Sequence, residues 1–251
     1  MDLTTLPAST PPLPWQARAW GRFVEQLDQG RLPHALLLVG AAHTGVDRLA
    51  LALARMLLCQ SPSDGINCGN CHACELSATG AHGDFLWLQP EEKSRVIKID
   101  QVRAAVSMAQ QTAGFGERKV IVLAPADVMN VSAANALLKS LEEPASGTHL
   151  ILACSKLQGV PATIRSRCQL VKLPGPTREE SLAWLSQLTG DHNSSEQLLD
   201  LCDDLPLLAE AMYREPDSEQ LHAARLACRG LFGGQLPVKD ATAMLASAPV
   251  S

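Results

Sequence analysis

No run of 18 apolar residues occurs anywhere in this 251-residue chain, so no helix of bilayer-spanning length is expected. The N-terminus lacks a charged segment followed by an apolar one, which argues against a secretory signal. Basic residues are not in excess: 21 Lys and Arg stand against 26 Asp and Glu, for a net charge of −5. The chain as a whole is therefore not an electrostatic surface for nucleic acid. Disulfide scaffolding is also absent from the pattern. Of eight cysteines, Cys154, Cys168, Cys202 and Cys228 are scattered, which fits reduced thiols in a cytosolic protein. What remains is an ordinary folding composition, 46% hydrophobic and 19% charged. That length can bury a real core, divided into one large domain and one or two small ones.

A second absence is chemical. Leu36-Leu37-Leu38-Val39 reads as a short buried strand, and a helical run from Arg48 to Cys59 lies downstream. Between them, Gly40-Ala41-Ala42-His43-Thr44-Gly45-Val46-Asp47 has the frame of a phosphate-binding loop, G-x-x-x-x-G-K-[ST]. Gly40 and Gly45 have the required spacing. The lysine that would reach the β- and γ-phosphates is Val46, and the hydroxyl that would hold Mg²⁺ is Asp47. A carboxylate there repels phosphate. An NTPase of this kind also needs a buried strand ending in acids that hold the metal and aim a water. Here Val120-Ile121-Val122-Leu123 ends in Ala124-Pro125, neither of which can bind a metal or accept a proton. Asp127 lies nearby and is expected in the following turn.

The other four cysteines are what the chain has in unusual density. Cys59-x8-Cys68-x2-Cys71-x2-Cys74 places four thiols within 16 residues, three of them in a Gly/Asn-rich loop. That spacing lets successive thiolates curl round one tetrahedral Zn²⁺ at about 2.3 Å. Four protein ligands leave no position for water, so the site is expected to be structural. An iron–sulfur cluster is an alternative, and His72 is the substitute ligand if Cys59 is only the buried end of its helix.

Along the chain, Met1 to Pro14 reads as an extended lead-in, and Trp15 to Gln29 has helical spacing. Further strands are expected over Asp84–Gln89, Lys119–Ala124 and His149–Cys154. Helices are expected over Asp100–Thr112, with Asp100 as its cap, and over Ser132–Glu143, stopped by Pro144. Alternating strands and helices imply an α/β domain with a parallel sheet covered on both faces. Beyond Pro174-Gly175-Pro176 only helices are expected: Thr177–Thr189, Ser194–Cys202, Leu205–Arg214, Ser218–Leu231 and a last one from Leu236. The first opens with a capping box, Thr177-x2-Glu180.

Two blocks are more specific than any of this. Asn135-Ala136-Leu137-Leu138-Lys139-Ser140-Leu141-Glu142-Glu143-Pro144 and Thr163-Ile164-Arg165-Ser166-Arg167-Cys168 closely resemble signature blocks of clamp-loader subunits of the AAA+ class. The cysteine pattern sits where bacterial members carry their zinc site. Loss of the loop lysine and the strand-end acids points to the delta-prime branch of the bacterial DNA polymerase III family. The resemblance covers about residues 13 to 215. It implies a parallel five-stranded AAA+ domain over residues 1–173 with its zinc module at 59–74, and a helical lid over 174–214. Residues 215–251 would be the incomplete start of a helical collar, leaving the chain short at its C-terminus.

It also implies a mechanism. Such subunits form an arc that opens a sliding clamp and closes it round primed DNA. ATP lies at the subunit interfaces, and the Ser-Arg-Cys arginine of one subunit reaches the nucleotide held by its neighbour. Arg167, preceded by Ser166, matches that arginine finger. Fingers supplied in trans are worth about 10³–10⁵ in rate in GTPase systems. The implied partners are gamma/tau-type ATPase subunits, a delta subunit, the clamp and primed DNA, in the cytoplasm and away from any membrane. No intrinsic ATPase or polymerase activity is expected, only membership of a DNA-directed DNA polymerase (nucleotidyltransferase) holoenzyme. Where ATP-hydrolysing relatives carry a lid arginine, this chain reads Asp204-Leu205-Pro206-Leu207-Leu208.

Two other readings compete. An active AAA+ ATPase would have to use His43, Asp47 and Asp127. A zinc-dependent nucleic-acid-binding module would have to bind phosphate through Cys59–Cys74, which contains no Lys or Arg.

Overall fold

The structure, a computed structural model, describes residues 3, 6–91 and 94–214 together with Gly230, Pro237 and Lys239. The helices expected from Ser218 and Leu236, and the collar segment 215–251, lie outside the continuously described residues. The chain divides into two compact units, residues 1–175 and 176–251.

In the first unit, five strands form one parallel sheet: β1 (Ala35–Val39), β2 (Phe85–Leu88), β3 (Lys119–Leu123), β4 (Thr148–Cys154) and β5 (Gln169–Lys172). Their order is β2-β3-β4-β1-β5. Alternation along the three central strands divides their side chains between two apolar layers, as a pleated strand requires. Leu36, Leu38, Val120, Val122, Ile151 and Ala153 enter one layer. Ala35, Leu37, Ile121, Leu123, Leu150 and Leu152 enter the other. Helix α1 (Ala17–Asp28) and the largely buried α2 (Val46–Leu58) cover the first layer. Helices α4 (Ile99–Gln110) and α5 (Val131–Glu142) cover the second. This is the parallel α/β sheet, covered on both faces, that the alternating pattern implied.

One local expectation needs correction. Asp100 does not cap α4. Lys98 occupies that position, and its backbone N–H donates to Gln101 Oε1 at 2.9 Å, leaving Asp100 in the first turn. At the junction of the lead-in and α1, Leu13 and Trp15 are buried and Pro14–Gln16 form a 3₁₀ turn. Two short helices were not foreseen: α3 (His72–Ala78), inside the cysteine module, and α6 (Ala162–Arg165).

The second unit contains α7 (Arg178–Thr189), α8 (His192–Leu201) and α9 (Pro206–Arg214). They close on Leu185, Leu199, Ala209 and Met212. The capping box at its start is made: Thr177 Oγ1 accepts from Glu180 N–H at 3.1 Å, and Glu180 Oε2 accepts from Thr177 N–H at 2.8 Å.

Candidate metal centre and nucleotide frame

The four thiols converge. The Sγ atoms of Cys59, Cys68, Cys71 and Cys74 all lie within 4.8 Å of one another. Cys59 Sγ is 3.6 Å from Cys68 Sγ and 3.9 Å from Cys71 Sγ. A tetrahedron with metal–sulfur bonds of about 2.3 Å has edges of about 3.8 Å, and disulfide-bonded sulfurs would lie about 2.05 Å apart. The donor set therefore fits one tetrahedral cation. The chain supplies it from the end of α2 (Cys59), the loop 60–70, and the cap and first turn of α3 (Cys71 and Cys74). The backbone N–H of Cys68 donates to Cys59 Sγ at 3.3 Å, and Asn67 Nδ2 donates to Cys74 Sγ at 3.3 Å. Such donors favour thiolates. Burial pushes the Cys59 thiol up to about 12 and also raises that of Cys74. Against its own burial, backbone hydrogen bonds bring Cys71 down to about 6. A cation is what lets all four lose their protons. His72 is not among the converging groups, and its ring lies 6.0 Å from that of Phe115.

Cys154 and Cys168 behave differently. Each is raised to about 11 by burial and has no place in the cluster.

The loop after β1 keeps its frame with altered contents. Gly45 caps α2 with φ of 88°, a left-handed conformation suited to glycine. The Val46 side chain is only 8% exposed and turns into the loop. A Cβ placed on Gly40 would sit 2.8 Å from Val46 Cγ2 and 3.3 Å from Leu173 Cβ. The Asp47 carboxylate accepts from the Arg48 N–H at 3.0 Å. Outside the loop, Trp15 Nε1 donates to Thr44 O at 2.9 Å and Gln16 Nε2 to Gly45 O at 2.7 Å. His43 is exposed, with φ of 60°.

At the end of β3, Ala124 is buried and Pro125 leads into a 3₁₀ turn, Ala126–Val128. Asp127 lies in that turn. Its Oδ2 accepts from Lys156 N–H at 2.9 Å and Ser155 Oγ at 3.3 Å, tying the turn to the segment after β4.

Ser166 and Arg167 lie at the other edge of the sheet. Gln169, which opens β5, pairs with Leu36 near the start of β1, whereas the glycine loop follows the end of β1. About 13 Å of strand separates the two levels. Arg167 therefore does not share a site with its own chain's loop. Its guanidinium is fixed: Nε and Nη2 donate to Glu142 Oε1 at 2.7 and 2.5 Å, and Nη1 donates to Thr163 O at 3.0 Å. Ser166 Oγ donates to the same carbonyl at 3.1 Å. Arg165 is exposed without a comparable set of contacts.

The family model described as DNA polymerase III, delta subunit, matches residues 15–177. DNA polymerase III subunit delta′ of Pseudomonas aeruginosa is 42% identical over 209 residues, covering 82% of this chain and 63% of that protein. This chain belongs to the DNA polymerase III delta′ family. The delta′ subunit of Escherichia coli is 37% identical over 174 residues, covering 69% of this chain and 52% of its own length. The chain thus spans between about half and two thirds of the length of these relatives. The fold matches a gamma-subunit-related DNA polymerase III protein of Thermotoga maritima with a TM-score of 0.51 at 17% identity, covering 89% of this chain and 92% of that one. Among the described residues, no helix of this delta′-family chain is long and apolar enough to cross a membrane.

Three residues of these sites escaped the sequence reading. Glu142 was part of a quoted block but had no role. Asn67 directly precedes the first loop cysteine. Arg55 is a lone cation in the apolar run Leu49–Leu58, four residues before Cys59, and that isolation was its available signal.

Proposed function

We propose that this chain acts as a delta′-type clamp-loader subunit without ATP chemistry of its own, supplying Arg167 to the nucleotide of a neighbouring ATPase subunit. The observation that carries this reading is the filled loop. Val46 packs on Gly40 and Leu173 where a lysine would have to project toward phosphate. The buried Ala124 adds support, since it offers no carboxylate to hold Mg²⁺, and Asp127 sits in the following turn with its Oδ2 tied to the segment after β4. The position of Arg167, one strand length from its own loop, supports action in trans. A fixed guanidinium there can neutralise charge developing on a transferring phosphoryl group.

In this proposal the neighbours are gamma/tau-type and delta subunits, and the assembly opens a sliding clamp and closes it on primed DNA in the cytoplasm. Zn²⁺ fills the four-thiol centre and is structural, because four thiolates close its coordination. At that centre the ion supplies charge neutralisation, while Cys59, Cys68, Cys71 and Cys74 hold it.

The test is reconstitution of the loader with its ATPase partners and either wild-type chain or Arg167→Ala. The exposed Arg167–Glu142 pair is worth about 0–1 kcal/mol, so the variant should fold. Clamp- and DNA-stimulated ATP hydrolysis should fall by at least about tenfold while the complex still assembles. Unchanged hydrolysis in a fully assembled complex would remove Arg167 from the chemistry.

A further inference from the structure

Arg55 is 0% exposed and lies in the last turn of the largely buried α2. Among the described residues, none of its hydrogen-bond partners is a carboxylate. Nη1 donates to Pro7 O at 2.6 Å and Thr10 Oγ1 at 2.5 Å, and Nη2 donates to Leu3 O at 3.2 Å and Ser77 O at 3.4 Å. Nε has no partner at all. A buried cation held only by neutral dipoles is costly unless a counter-charge lies nearby. The available one is the four-thiol centre. Arg55 precedes Cys59 by one helical turn, so the two share a face of α2. Ser77, which accepts from Arg55, follows Cys74 by three residues on α3, and its Oγ donates to Cys74 O at 2.9 Å. Burial lowers the Arg55 pKa, and the Cys74 thiolate opposes that shift.

We propose that Arg55 is the counter-cation of the metal centre and the clasp through which metal loading fastens the N-terminal lead-in, residue 3 and residues 6–16, to the domain. This rests on the zinc reading above. Four thiolates and one divalent cation leave two negative charges, and the guanidinium offsets one of them. Without the metal, four neighbouring thiolates repel one another and cannot all stay ionised, so the centre presents less negative charge to Arg55. The lead-in carbonyls then hold a buried charge whose balance among the described residues is weakened.

A second clasp runs in parallel. Asn67 Oδ1 accepts from Thr10 N–H at 2.9 Å, and Nδ2 donates to Ala8 O at 2.7 Å as well as to Cys74 Sγ. Gly69, at φ of 77°, brings the ligand loop so close that a Cβ would meet Ser9 Cβ at 2.8 Å. The same lead-in ends in Trp15 and Gln16, which hold the carbonyls of Thr44 and Gly45. Metal state at one end of α2 is thereby linked to the glycine loop at the other.

The test uses the full chain as wild type, Arg55→Met, which keeps much of the volume, and Arg55→Lys, which keeps the charge. Zinc affinity is read by chelator competition, and coordination from the Co²⁺ absorption of a tetrahedral thiolate site. Hydrogen exchange reports protection of residues 6–16. Arg55→Met should weaken zinc binding at least about tenfold, and Arg55→Lys should recover most of that loss. In the wild-type chain, chelation should lose protection of residues 6–16 at least about tenfold while β1, β3 and β4 stay protected, an outcome that needs no variant to fold. Wild-type affinity in Arg55→Met, or unchanged lead-in protection in the chelated wild type, would overturn the proposal. A wild-type chain that shows no tetrahedral thiolate spectrum would instead overturn the zinc reading itself.

Discussion

The filled loop makes a quantitative claim about Gly40 and Val46. Gly40 has an ordinary negative-φ backbone, so alanine is permitted there by conformation and opposed only by its neighbours. The new Cβ of Gly40→Ala would lie 2.8 Å from Val46 Cγ2, closer than real contacts allow, and 3.3 Å from Leu173 Cβ. Valine is stiff at χ1 and cannot swing its methyl aside at little cost. Overpacking of this kind costs about 1–3 kcal/mol. Val46→Ala alone removes two buried methyl groups, worth about 1.6 kcal/mol in transfer with a smaller cavity contribution. When Gly40→Ala and Val46→Ala are combined, the clashing Cγ2 is gone, and the methyl introduced at position 40 partly fills the space it left. The double variant should therefore cost no more than Val46→Ala alone, a coupling of about 1–3 kcal/mol between the sites. Urea unfolding of the metal-loaded chain, followed by circular dichroism, measures all four corners of this cycle. Costs that add to within about 0.5 kcal/mol would show that Val46 does not occupy the loop as described.

Two further predictions concern other parts of the chain. Burial holds the His149 pKa below its ordinary value, with Arg118 and His34 adding to the depression and the Pro33 carbonyl opposing it, and Nδ1 has no partner. Above about pH 6.5 both folded and unfolded chains carry a neutral imidazole and the residue contributes nothing. As pH falls through that value, the unfolded chain takes up a proton that the folded chain refuses, so stability falls by at most about 1.4 kcal/mol per pH unit. His149→Gln should flatten the loss between about pH 6.5 and 5.5 in urea titrations, and an unchanged slope would refute the assignment. In the helical unit, Thr177→Ala removes the cap of α7 and should cost about 1 kcal/mol. Hydrogen exchange should quicken in the first turn of α7 without any change in the sheet; uniform protection would show that the capping box carries no stability.

The elements whose residues carry their own pattern were legible in advance. β1, β3 and β4 are dense apolar runs, and two of the helices covering them, α2 and α5, have inward-facing leucines at helical spacing. β5 was implied only by resemblance, because Gln169-Leu170-Val171-Lys172 is a short edge strand with three of its four residues exposed. α3 was hidden because its residues were read as ligands. Once Cys71 and Cys74 are spaced to share a metal, one helical turn satisfies that spacing as well as a loop does. Asp100 was chosen as a cap on residue type, but the chain starts α4 earlier and uses a glutamine side chain instead. The ligand set itself could be read from spacing. The roles of Arg55, Asn67 and Glu142 could not, since each depends on groups between 7 and 59 positions away.

The retained glycines bear on why a loop with valine and aspartate in place of lysine and hydroxyl still has the outline of a phosphate loop. In an active loop they would be explained by the approach of backbone N–H groups to phosphate. Here each has a steric reason that survives without nucleotide. Gly45 starts α2 from a left-handed conformation that costs other residues roughly 1–2 kcal/mol, and Gly40 has no room for a side chain beside Val46 and Leu173. The loop must also turn tightly for α2 to run back across the sheet and deliver Cys59 to the four-thiol cluster. β1 must stay straight beneath it, because its pairing with β5 sets the level at which Arg167 emerges. Loss of the lysine and the strand-end acids removes charge from one edge of the sheet. It leaves untouched the pairing that places the arginine at the other.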